Sequence, residues 1–349
     1  MKVKFLEAKN GDSILINFTD NNEINRNILI DGGTSSTYQF KNNKSKLEDG
    51  SLKKELAKID CVDLLILTHV DDDHIGGILN WFSKDPEAKN KVKKVWFNSG
   101  RLIFEQFNVD EIEENLQPLD DSSSLNTSIK QGATFEKYIT ENGLWDRFLI
   151  DTSKEIEDFG LNFTFLSPDE GKLKALLHKW EKEDPNLNTS VSDDYSKSLK
   201  EHIASDSFKE DKSIHNGSSI AFILTQNGKN LVFLGDAHPR LVEKRLQNLG
   251  YSDEIPLEAE FLKLSHHGSK SNTSYELLKL IKTNRYVVSS NGDIHRLPHK
   301  QCLARVINHN KLSEIYFNYA KKPTEIFHDE DYKEFPDFKA IYIDSEFDV

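Results

Sequence analysis

Apolar residues recur along this chain in short runs that stop at polar, glycine-containing turns. Val3–Leu6 and Ser13–Phe18 flank the turn signal Asn10-Gly11-Asp12, and Asn27–Ile30 runs into Asp31-Gly32-Gly33. Short apolar runs punctuated by Gly, Asn and Asp predict strands. Leu64–Leu67 is apolar throughout, as a strand buried on both faces would be. Ile75, Ile78, Leu79 and Phe82 fall at helical spacing, a helix is expected around Leu52–Ala57, and Val92–Phe97 reads as another strand. From about residue 99 to 215 the pattern becomes polar and charged, with helical runs at Phe135–Thr140 and Leu173–Trp180 and one strand at Leu161–Leu166. The stretch Glu181–Ser213 is rich in Asp, Lys, Ser and Asn and reads as a loop or helical lid. A solvated insertion without a role and a substrate lid stand as alternatives for it.

Alternation returns towards the C-terminus. Ser219–Leu224 and Asn230–Leu234 predict a hairpin through Gln226-Asn227-Gly228-Lys229. Helix Pro239–Gln247, strand Phe261–Leu264, helix Ser274–Lys282, strand Tyr286–Ser289, helix Lys300–Asn308 and strand Glu314–Phe317 follow. Strands first, then strands alternating with helices, suit two sheets packed face to face with helices outside. The expected organisation is one α/β domain over 1–349, interrupted by the 99–215 insertion and followed by a 318–349 extension.

Composition narrows the function. The 349 residues include 37% hydrophobic positions with 21 Phe and 10 Tyr, enough for a sizeable core. A net charge of −13 argues against a sequence-blind grip on duplex nucleic acid, which wants a basic face. It leaves room for an anionic substrate, because bound cations invert the local field. Cys61 and Cys302 form no CxxC pattern, so neither a disulfide framework nor a thiolate zinc site is expected. With no leader-like start and no apolar stretch near the ~20 residues of a membrane span, the expectation is a cytoplasmic protein that does not enter a membrane.

The chemistry is concentrated at strand ends. Directly after Leu64–Leu67 come Thr68-His69-Val70-Asp71-Asp72-Asp73-His74-Ile75-Gly76-Gly77. Imidazole nitrogens and carboxylate oxygens ligate zinc, manganese or iron. So many of them side by side resist burial unless a cation neutralises them, and a helix cap needs only one Asp. Three more apolar runs end the same way: Leu234-Gly235-Asp236-Ala237-His238, Leu264-Ser265-His266-His267-Gly268-Ser269, and Ser289-Ser290-Asn291-Gly292 continuing to His295, Leu297, Pro298 and His299.

Together these segments resemble the metallo-β-lactamase superfamily, and within it the branch that includes the C-terminal domain of ComEC competence proteins. The resemblance rests on Asn10 to Ser13, Asp31 to Gly33, Thr68 to Gly77, Asn216 to Ser219, Gly235-Asp236 and His266 to Ser269. It implies an αββα sandwich with a metal site at one edge and two divalent cations, Zn²⁺ or Mn²⁺. By position, His69 and Asp71 serve one cation, Asp73 and His74 the other, Asp236 bridges them, and His266 completes a shell. The family motif is His-x-His-x-Asp-His. Asp71 replaces its second His, as in the ComEC-like branch, and an oxygen ligand there shifts preference towards manganese. The third His usual for the first cation is missing by this reading, with Asn216 near its place.

The resemblance also implies supporting roles. Asp31 and Asp12 back the ligands, Ser269, Asn216 and Asn291 contact substrate, and Asp73, His267 and either His295 or His299 take part in catalysis. His299 is favoured over His295 because it opens the Lys300–Asn308 helix, where an anion is welcome. His238 reads as structural, and His178, His202, His309 and His328 as surface residues. Lys93, Lys94, Arg101, Lys263, Lys270 and Arg296 are the cations available to a short or single-stranded nucleic acid. The implied activity is a phosphodiesterase or nuclease in which a hydroxide generated between two cations attacks in line. Two alternatives remain: a hydrolase of a small nucleotide, lactone or ester, and a non-catalytic subunit that works with a protein partner or as a homo-oligomer.

Overall fold

The computed structural model describes residues 1–107, 124–178, 193–344 and 346–349. Two mixed sheets carry the fold. In the first, the strand order is Phe347–Asp348, Lys2–Phe5, Ile14–Thr19, Asn25–Ile30, Leu64–Ile66, Val95–Trp96. In the second it is Lys339–Tyr342, Glu314–Phe317, Arg285–Val288, Phe261–Lys263, Lys229–Phe233, Ala221–Gln226, Leu161–Ser167, Glu155–Asp158. Alternation decides which face is which. Ile14, Ile16 and Phe18 point into the space between the sheets with Ile28 and Ile30, and meet Phe163, Phe165, Phe222, Phe233 and Phe261 from the other side. Edge-on aromatic pairs tie the sheets together, with Phe5–Phe261 centroids 5.6 Å apart and Trp96–Phe163 4.9 Å apart.

Helices cover both outer faces, completing the αββα arrangement. Ile75, Ile78, Trp81 and Phe82 of the helix Asp72–Lys84 pack on Leu29 and Leu65. Val242, Leu246, Leu303 and Val306 pack on Val232, Leu262 and Val288 of the second sheet. Asn227 and Gly228 both take positive φ, 51° and 78°, as the two-residue turn of a right-twisted hairpin requires.

The described parts of the 99–215 insertion are built into this frame. Ser124–Glu141 lies on Asp72–Lys84, with the Phe82 and Tyr138 rings stacked at 4.2 Å. Glu155–Asp158 and Leu161–Ser167 close one edge of the second sheet. Of the Glu181–Ser213 stretch, 181–192 lies outside the described residues. The remainder is held firmly. The Asp194 carboxylate accepts from the Lys300 and Gln301 N–H groups at 2.8 and 3.0 Å, and Asp206 pairs with Arg305 at 2.8 Å.

Two expectations change. The helix expected over Ser274–Lys282 stops at Leu280, because Ile281–Lys282 pairs with Leu257–Glu258 as a short parallel ladder. The segment after 318 adds an edge strand to each sheet, and Phe347 sits 5.3 Å from Phe261 in the central core. Among the described residues no helix is long and apolar enough to cross a membrane.

Candidate metal centre

The strand ends converge on one edge of the sandwich, where the backbone stops pairing and side chains are free to face each other. Asp31 organises the first group. Its Oδ1 accepts the Thr68 N–H at 2.8 Å, and its Oδ2 accepts Thr68 Oγ1 and faces His74 Nδ1, both at 2.7 Å. With Nδ1 turned to that carboxylate, His74 presents Nε2 to Asp236 Oδ1 at 3.5 Å and Asp73 Oδ1 at 4.0 Å. His267 Nε2 completes this half, 3.6 Å from Asp73 Oδ2 and 3.9 Å from Asp236 Oδ1. The second half forms around the other oxygen of Asp236. His69 Nε2 is 3.8 Å from Asp236 Oδ2 and 3.6 Å from Asp71 Oδ2, while His215 Nδ1 is 3.5 Å from Asp71 Oδ1.

These separations are too long for hydrogen bonds. Two ligands each ~2.1 Å from one cation sit roughly 3–3.5 Å apart, so the spacing is close to what a shared ion needs. The atoms involved support the same conclusion. His69 Nε2, His74 Nε2, His267 Nε2 and Asp236 Oδ1 are buried and lack hydrogen-bond partners. Buried polar atoms without partners are costly, and divalent cations between the facing groups would satisfy them. The donor set of imidazoles and carboxylates therefore fits one or two divalent ions.

Electrostatics in the metal-free cage follow from the crowding. Burial alone would lower the imidazoles, but Asp236 and Asp211 carry His266 up to about 9. Burial is likewise outweighed for His74, raised by Asp236 and Asp31, and for His267, raised by Asp12 and Asp236. The carboxylates move the other way. Burial would raise Asp73, but His267 and His74 bring it to about 2, and Asp236 is held well below its ordinary range against burial by the cage histidines.

The adjacent histidines have different surroundings. His266 and His267 both take left-handed backbone, φ 48° and 52°, which turns their rings apart. His267 is buried in the cage. His266, 22% exposed at its side chain, lies 3.8 Å from Asp236 Oδ2 on one side and 3.4 Å from Asp211 on the other. His299 lies beside the same turn: its N–H donates to the Gly268 carbonyl at 3.1 Å, and its Nδ1 accepts from the Lys270 N–H at 3.2 Å. Burial, with the Lys270 charge, lowers His299 to about 4.

Asn216 and Ser269 stay beside His266, Asn216 Nδ2 at 3.3 Å from its Nδ1 and the Ser269 N–H donating to its carbonyl at 2.9 Å, while other residues named from the sequence take other partners. His295 is exposed on its turn, and Asn291 is bound to Asp293 at 2.6 Å. The Ser269 Oγ accepts from the Ser271 N–H, and Asn216 Nδ2 donates to Asp211 at 2.7 Å. Lys263 is no surface cation, being 1% exposed and paired with Asp12. Lys94 is engaged by Asp158 at 2.5 Å. His202 is buried, facing the Asp194 carbonyl at 2.9 Å, and is not a surface residue. His238 is buried against Lys172, and the His178 side chain lies outside the described residues.

Sequence reasoning missed His215 and Asp211. His215 occupies the short helix Ile214–Gly217. It stands beside Asp71, one residue before Asn216, and that adjacency was its only signal in the sequence. Asp211 sits in polar sequence with nothing to single it out.

The family model described as the metallo-beta-lactamase superfamily matches residues 7–292. No individually curated protein matches the sequence. Among solved structures, an archaeal metallo-beta-lactamase superfamily protein from Sulfolobus tokodaii aligns at 12% identity and a TM-score of 0.31, covering 88% of this chain and 96% of its own. With the family match spanning most of its length, the chain belongs to the metallo-beta-lactamase superfamily.

Proposed function

We propose that the protein is a divalent-metal-dependent phosphodiesterase acting on short or single-stranded substrates. Superfamily members are generally metal-dependent hydrolases. The observation that carries the reading is Asp236, whose two oxygens face two separate sets of buried imidazoles and carboxylates. His69, Asp71 and His215 would hold one ion and Asp73, His74 and His267 the other. Bound ions would supply a water ionised near neutral pH and absorb charge on the leaving oxygen.

The chain's own groups divide the remaining work. Asp31 fixes His74 through Nδ1 and so keeps Nε2 aimed at Asp236. His299, neutral at pH 7 and accepting at Nδ1, carries its hydrogen on Nε2, where it can donate a hydrogen bond to a phosphoryl oxygen. His266, outside the densest part of the cage, is placed to contact substrate, with Asp211 steadying its Nδ1. Lys270 and Arg296 are exposed near these groups and can meet phosphate charge. Asp71, standing where the family motif has its second histidine, offers an oxygen ligand that favours manganese or a mixed pair over zinc alone. The similarity to the ComEC-like branch supports a phosphodiester substrate. The charge of −13 favours a second reading, a small anionic substrate such as a nucleotide.

Purified protein loaded with Mn²⁺ or Zn²⁺ is expected to cleave bis-p-nitrophenyl phosphate and single-stranded DNA. Asp73→Ala and Asp236→Ala should each lose at least the ~10–100-fold that even a supporting residue commands. Hydrolysis of a nucleotide or ester with no phosphodiester cleaved would reverse the order of the two readings.

A further inference from the structure

The two halves of the cage are built unequally, and the difference begins at a buried lysine. Lys263 ends the strand Phe261–Lys263. Its Nζ donates to Asp12 Oδ2 at 2.9 Å and to the Leu264 carbonyl at 3.2 Å. Asp12 Oδ1 accepts from Ser289 Oγ and lies 3.5 Å from His267 Nδ1. Asp12 clusters with His74, Asp236 and His267, ligand atoms all within 4.8 Å of one another. Both of its oxygens are already engaged, so it supports the cage and does not ligate.

A buried ammonium persists only beside a partner, and this one meets a carboxylate 251 positions away in sequence. Pinned in this way, Asp12 stands behind His267 Nδ1 and leaves Nε2 facing Asp73 and Asp236. The same half has His74 backed by Asp31, and Asp73 held by Asn10 Nδ2 at 2.9 Å. The opposite half is looser. His69 Nδ1 is backed by a neutral group, the Thr68 hydroxyl at 3.1 Å, where His74 and His267 have carboxylates behind them, and the Asp71 side chain is 32% exposed.

We propose that Lys263 is a positioning residue which, through Asp12, sets His267, so that the Asp73–His74–His267 half binds its cation first and more tightly than the His69–Asp71–His215 half. The proposal rests on the two-ion reading above, and its test needs no substrate.

Metal-stripped protein is titrated with Mn²⁺ and Zn²⁺ by calorimetry, and with Co²⁺ by absorption. Two unequal binding steps are expected. Lys263→Met should weaken the first step about 10–100-fold and alter the spectrum of the first Co²⁺ equivalent, leaving the second step in place. Asp71→Asn should weaken the second step alone. Lys263→Met strands a buried carboxylate, so the charge-balanced double variant Asp12→Leu with Lys263→Met is measured beside it. Such a replacement of a buried pair usually keeps the fold, and it should show the same loss at the first step. Equal steps in the parent protein, or an unchanged first step in a folded Lys263→Met or double variant, would overturn the proposal. Absence of phosphodiester cleavage would leave these steps measurable, so the two readings fail separately.

Discussion

At the scale of single residues, neighbours in sequence have separate surroundings. His267 faces the interior of the cage and His266 faces Asp211, because two consecutive left-handed residues turn their rings apart. His267→Ala is therefore expected to lower the bound metal measured by elemental analysis. His266→Ala should keep the metal and lower kcat, which kinetics on the same preparation will show. The cage also sets a pH dependence. The folded protein holds protons on His74, His266 and His267 more tightly than the unfolded chain does. The stability this gives the metal-free protein is full below the ordinary imidazole value of 6.5 and fades as pH rises through the folded value, about 9 for His266. The melting temperature of stripped protein should thus fall from pH 6.5 to 9. Apparent metal affinity should rise over the same interval, since cations and protons compete for the same nitrogens. Parallel melting and binding series check both signs. The residues behind this chemistry were partly legible. Asp71, Asp73, His74 and Asp236 stood out as chelating types at strand ends. His215 and Asp211 did not, because a ligand's value lies in what faces it, and their partners are distant along the chain.

At the scale of elements, the turns that carry the cage residues are held by close backbone approach. A Cβ on Gly77 would stand 1.9 Å from the Gly32 carbonyl oxygen, and one on Gly11 would stand 1.7 Å from that of Asp73. The helix Asp72–Lys84 consequently lies directly against the two turns that carry Asp12 and Asp31. Gly77→Ala should cost about 1–3 kcal/mol, typical of overpacking, and denaturant unfolding measures it. Gly11→Ala displaces the Asp12 turn as well, so metal stoichiometry should drop together with stability. The strand and hairpin pattern was readable from alternation and from Asn227-Gly228. The end of the helix at Leu280 was not, because the pairing that stops it comes from Leu257–Glu258, more than twenty residues earlier.

At the scale of the whole molecule, the last strands close both sheets. Phe347 contacts Phe5, Phe261 and Tyr316, so it joins the two sheets from the end of the chain. Phe347→Ala is expected to cost about 3–5 kcal/mol by chemical denaturation, the usual range for a buried phenylalanine. A tail with no role in the fold would show almost nothing. The insertion reaches the site in the same long-range way. Asp211 steadies His266, while Asp194 and Asp206 tie the segment to the Lys300–His309 helix. By itself the sequence determined the layered α/β class, the edge at which strands end in chelating residues, and the family those motifs resemble. Local period and residue chemistry are written in consecutive positions, so these were accessible. Only the tertiary structure decided that His267 Nε2 lies beside Asp73 and Asp236, that His215 lies beside Asp71, and that Lys263 is buried behind Asp12. Each of those depends on a distance between strands that are remote in sequence, and one-dimensional pattern carries no measure of that distance.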